Sequence, residues 1–103
     1  EHRIAGADVN PYLVTAAVLA GILQGLDDKG DPGPPIVGNA YEQTAHRELY
    51  WRDTITDFMA SDFVAAHFGE SFRHIFGQQK LKEMHSFYTE VTDLEYAWYL
   101  RSV

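Results

Sequence analysis

A chain of 103 residues holds one domain at most. Eight basic residues against fifteen acidic ones, a net charge of −7, exclude the basic stripe that a nucleic-acid surface requires. A composition 46% apolar excludes a disordered chain, and the lack of any cysteine excludes a disulfide frame and thiolate chemistry. The missing cysteines fit a reducing compartment, and a cytoplasmic location is expected. The chain opens without Met and without a basic leader, so no signal peptide is read and the start reads as a cut in a longer protein.

Residues Glu1 to Ile4 read as the end of a strand. Glu1 and Arg3 are two apart, which on an extended strand sets both on one face and His2 on the other. A carboxylate beside a guanidinium can hold a divalent cation and the phosphate it neutralises. The competing reading is a strand-end ion pair. Asp8 or Asn10 can cap the next helix, and Pro11 fits its first turn. That helix runs to about Leu26. Between Tyr12 and Leu23 only Thr15 and Gly21 interrupt the apolar run. Such a helix is apolar all round and calls for cover on every side, which a chain of this length can hardly provide. It is too short for a membrane span, and Gly21 and Gly25 share a face where another element could come close.

Asp27–Pro35 ends the helix in a turn-rich, partly polyproline segment, the start of a long irregular connection to Tyr50. The next helix is expected near Thr54, with Thr54 and Asp57 as a capping box and Ile55, Phe58 and Met59 as its apolar face. Ser61 caps a short successor carrying Phe63, Val64 and Phe68, closed by Gly69. A longer helix follows from about Glu70 to about Tyr88. Phe72, Ile75, Phe76, Met84, Phe87 and Tyr88 keep the helical period, and Lys80, Lys82 and Glu83 face water. Thr92-x-x-Glu95 is a full capping box before Leu94, Tyr96, Trp98, Tyr99 and Leu100. Beyond the first few residues the chain reads as all helical.

Glu1-x-Arg3, then Gly6-x-Asp8-x-Asn10-Pro11-Tyr12-Leu13 and an Ala-rich helix, resembles the C-terminal part of the glutamine synthetase family. The resemblance continues through Ala16-Ala17, Leu19-Ala20-Gly21, Gly25-Leu26 and Gly38-Asn39-Ala40-Tyr41, and resumes at Glu95-Tyr96 and Tyr99-Leu100. His2 and the Ala5–Val9 run look closer to the gamma-glutamylpolyamine (gamma-glutamylputrescine) synthetase-like branch than to the ammonia-using enzymes. The resemblance implies that residues 1–103 are the C-terminal, helical part of an α+β catalytic domain, mainly α here with a short strand at the start.

It also implies an ATP-dependent ligase joining the gamma-carboxylate of L-glutamate to a polyamine or ammonia, with Mg2+ or Mn2+. Glu1 matches a family carboxylate that ligates the divalent cation. Arg3 matches an arginine that meets the transferred phosphate and the acyl-phosphate intermediate. The other metal ligands, the nucleotide-base contacts and the amine site lie upstream in the family, so residues 1–103 alone should be inactive. Tyr41 falls near a tyrosine that some bacterial members carry as a nucleotidylation site, but the Leu-Pro expected after it is missing; a packing role is the other reading. Bacterial members form stacked rings and use the C-terminal segment to join them. The aromatic tail here is expected to meet a second subunit or, alternatively, a neighbouring helix of its own chain.

His2, His46, His67, His74 and His85 lack the spacing of a ligand set, and Gly30, Gly33 and Gly38 lack the Lys-Ser/Thr of a phosphate loop. Two rivals stand beside the ligase reading: a catalytically silent relative serving as a structural or signalling module, and an unrelated helical interaction domain. The helix start Asn10-Pro11-Tyr12-Leu13 after Glu1-x-Arg3 argues against the second.

Overall fold

A computed structural model describes residues 5–43 and 50–102. The expected strand at Glu1–Ile4 lies outside the described residues. Every regular element among them is a helix: α1 (Pro11–Asp27), α2 (Ala40–Gln43), α3 (Trp51–Ala60), α4 (Asp62–Phe68), α5 (Glu70–Thr89) and α6 (Asp93–Tyr99). The mainly α expectation holds. The chain divides into two compact units, Glu1–Ala45 and His46–Val103.

The first unit is built on α1. Asn10 caps it, its side-chain oxygen accepting from Tyr12 N at 3.0 Å and Leu13 N at 3.2 Å. Pro11 sits in the first turn, where its missing N–H costs no bond. At the other end Lys29 takes a left-handed φ of 51°. Lys29 N donates to Leu26 O at 3.3 Å and Gly30 N to Gly25 O at 3.0 Å, the paired bonds of a Schellman stop. The stop therefore places the left-handed residue one position before the glycine. Along α1 only Ala20 is buried; Tyr12, Leu19, Ile22, Leu23 and Leu26 are exposed. The helix has the apolar surface of a buried element, and the chain leaves most of it open. Downstream, Asp31 Oδ1 accepts from Gly33 N at 2.9 Å, and Gln43 Nε2 closes the approach to α2 by donating to Val37 O at 2.7 Å.

The second unit has the chain's packed core. Helix α3 starts at Trp51, a turn before the expected Thr54. Tyr50 is its N-cap in extended conformation, with no side-chain capping bond. Thr54 sits within the helix, its N and Oγ1 both donating to Tyr50 O at 3.0 Å, so the Thr54/Asp57 box does not open it. The early start brings the Trp51 ring against Phe87 at 5.6 Å and Tyr88 at 6.1 Å, a packing gain that overrides the local capping signal.

Ser61 ends α3 and begins α4: its N–H donates to Phe58 O and its Oγ accepts from Val64 N. The Ser61 carbonyl accepts from Arg73 Nη1 at 3.2 Å, and Arg73 Nη2 pairs with Glu70 Oε2 at 2.7 Å. One arginine on α5 thus ties down the corner between α3 and α4. Gly69, at φ 88°, makes the turn from α4 into α5, a conformation L side chains rarely adopt.

Helices α3 and α5 pack together, with Ile55 of α3 and Gly77 and Met84 of α5 buried. Phe58 lies 5.3 Å from Phe76 and 6.4 Å from Phe72, and Phe72 stacks on Phe68 and Phe76 at 5.5 and 5.2 Å. Ile75, Phe87 and Tyr88 keep the helical period of α5 yet stay exposed. The capping box before α6 is as expected: Thr92 Oγ1 accepts from Glu95 N at 3.3 Å, and Glu95 Oε2 accepts from Thr92 N at 2.7 Å. Among the described residues no helix is long and apolar enough to cross a membrane.

Candidate functional site

Glu1 and Arg3, the two residues singled out for chemistry, lie outside the described residues, as do His2 and His46. What is described is the segment that carries them into the fold. Residues 5–10 form an exposed turn, in which a Cβ on Gly6 would come within 2.8 Å of Asp8 Oδ1. The turn delivers the chain to Asn10, whose cap fixes the direction of α1. The first-turn N–H groups of Tyr12 and Leu13 are taken by Asn10, and Thr15 Oγ1 donates to Pro11 O at 2.7 Å. These bonds fix the start of α1.

Among the described residues no group of three or more His, Cys, Asp and Glu side chains could hold a metal ion. His67 packs against the Phe63 ring at 4.5 Å, and His74 and His85 are exposed. Tyr41 falls in the single turn of α2, where Asn39 Nδ2 donates to Glu42 Oε1 at 2.8 Å.

A cleft between α3 and α5 joins none of the motifs read from the residues. It has a volume of about 210 Å³ and is lined by Trp51, Thr54, Ile55, Phe58, Phe76, Gly77 and Lys80. Lys80 is its one charged group. Its Nζ lies 5.3 Å from the Phe76 ring centroid and 2.7 Å from Glu83 Oε2. The Lys80 bond, followed by one from Gln79, holds the Glu83 carboxyl below its ordinary range. With its ammonium already paired, this apolar cleft offers no acid, base or nucleophile. The signal that could have found it is Gly77, a glycine amid the aromatic positions of α5.

The last exposed feature is α6 with the residues after it. Leu94, Tyr96, Trp98, Tyr99 and Leu100 are each more than half exposed. Trp98 and Tyr99 touch edge to face at 6.3 Å, and Ser102 Oγ donates to Trp98 O at 2.6 Å.

Residues 1–99 match the family described as glutamine synthetase, catalytic domain. The chain is 37% identical over 103 residues to gamma-glutamylputrescine synthetase of Escherichia coli (strain K12), covering 99% of this chain and 22% of that protein. It is 35% identical to glutamate–isopropylamine ligase of a Pseudomonas species, covering 97% and 23%. It is 30% identical to the glutamine synthetase of Archaeoglobus fulgidus, covering 96% and 22%. The chain therefore spans under a quarter of the length of the curated relatives it matches. The higher identity to the two amine-named proteins agrees with the branch that His2 and Ala5–Val9 suggest. No solved structure matches the chain significantly. Its full-length match to the family, running from the Glu1-x-Arg3 motif through α6, makes this chain a member of the glutamine synthetase family.

Proposed function

We propose that residues 1–103 are the C-terminal part of the catalytic domain of an ATP-dependent ligase. The ligase joins the gamma-carboxylate of L-glutamate to an amine, a polyamine or another amine in preference to ammonia. The observation that carries this reading is Glu1-x-Arg3 running into Asn10-Pro11-Tyr12-Leu13 at the head of the family match. The names of the similar relatives, a glutamylputrescine synthetase and an isopropylamine ligase, support the amine class.

In the first step a glutamate carboxylate oxygen attacks the terminal phosphorus of ATP, and the bond to the ADP oxygen breaks. In the second the amine nitrogen attacks the acyl carbon, phosphate leaves with the C–O electron pair, and the amine nitrogen loses a proton. Arg3 meets the phosphoryl oxygens in both steps, where its planar fork stabilises charge as it moves between oxygens. Glu1 supplies one hard oxygen ligand to Mg2+ or Mn2+, which when bound neutralises phosphate charge. Among the described residues no group of three such donors occurs, so a metal held there would take its other ligands from elsewhere. Residues 1–103 alone are therefore inactive on this reading. A cytoplasmic location belongs to the same proposal.

Glu1→Gln and Arg3→Lys in the full-length protein test it. Glu1→Gln should weaken the divalent-cation dependence of turnover. Arg3→Lys should lower kcat by about 10²–10³-fold, more than it changes the KM for glutamate. Turnover and metal dependence unchanged in both variants would leave the motif as an ion pair, whereas no turnover in the unsubstituted full-length protein would point to a silent relative.

The reading extends to assembly. The open aromatic surface of α6 supports a homo-oligomer, with a ring assembly as the family expectation. Deleting Trp98–Val103 from the full-length protein should break or halve the assembly, as measured by mass in solution, with helical content kept. An unchanged mass would assign the tail to its own chain.

A further inference from the structure

We draw no further inference here: the strongest candidate, the apolar cleft between α3 and α5 beneath Trp51, Phe58 and Phe76, has its one cation already paired with Glu83, and nothing in the structure shows what covers it.

Discussion

Helices α1 and α5 are the two long helices of the chain, and they use apolar residues in opposite ways. On α5 Phe72, Phe76 and Gly77 meet α3 and are covered by the chain itself, while Phe87 and Tyr88 meet it through Trp51 and stay exposed. Met84 is 4% exposed and Ile55, opposite, is 5% exposed. On α1 apolar residues occupy all sides, and Leu23 is 58% exposed. A helix stabilised by its own partners needs only a stripe. A helix with apolar residues on every face is matched to surroundings on every face, and its stability in this chain rests on its caps and intrinsic propensity. Helix α1 therefore calls for contacts that the α3/α5 pair does not need.

The largest break in this comparison comes from paired truncations. Ile55→Ala removes a buried side chain from the α3/α5 contact and should cost about 2–5 kcal/mol, read as a shift in the urea midpoint of the 103-residue chain. Leu23→Ala on α1 should stay within about 0.5 kcal/mol in the same chain, because the side chain is already in water. In the full-length protein, by contrast, Leu23→Ala should cost on the scale of a core truncation. Near-neutral behaviour of Leu23→Ala in both settings would mean that α1 has no cover anywhere.

Much of this was legible from residues alone, because most of the signals are local. Asn10-Pro11 marks a helix start whatever follows, and Thr92-x-x-Glu95 closes a capping box by reach alone. Ser61 and Gly69 likewise fall where a cap and a left-handed turn were expected. The misses depend on distant partners. Helix α3 begins a turn early because Trp51 gains Phe87 and Tyr88, more than thirty positions along. Ile75 obeys the period of α5 yet is exposed, because a period says which residues share a face and not whether anything meets it. The candidate site itself was legible only through the family resemblance, since a carboxylate two residues from a guanidinium has no chemistry of its own without the groups around it.

A smaller effect sharpens the same contrast through glycines. A Cβ on Gly77 would lie 2.8 Å from Met59 Sδ and closer still to its Cγ, whereas Gly21 and Gly25 have nothing within 4 Å. Gly77→Ala gains about 1 kcal/mol of helix propensity but overpacks the contact by about 1–3 kcal/mol, so the net change should be a loss near 1 kcal/mol. Gly21→Ala meets no neighbour and should stabilise the 103-residue chain by about 1 kcal/mol. The two substitutions therefore move the thermal midpoint in opposite directions. A gain at Gly77 would show that Met59 swings aside and that the α3/α5 contact is looser than its aromatic stacking suggests. A loss at Gly21 confined to the full-length protein would identify the face of α1 approached by another element.

The smallest expected effect concerns α6, which is exposed like α1 but held by one local device. Glu95 accepts from the Thr92 N–H, and that bond holds its carboxyl below the ordinary range. A lowered folded value means that the carboxylate contributes stability above its unfolded value, near 4.3, and loses it as the pH falls through the folded value. Protonated Glu95 no longer accepts from Thr92 as an anion, and the reciprocal box is reduced to the Thr92 hydroxyl. Acidification should therefore open α6 before it disturbs α3 and α5, whose buried contact is apolar and which lose only the half-exposed Lys80–Glu83 pair. Hydrogen exchange reads this amide by amide: protection at Tyr96–Leu100 should fall first, with that around Met84 unchanged. Thr92→Ala should reproduce the loss at neutral pH, at a cost of about 1 kcal/mol to α6 alone. If the α6 amides of the 103-residue chain stayed protected into acid alongside those of α5, packing would hold the helix, and its aromatic face would no longer be open to a second subunit.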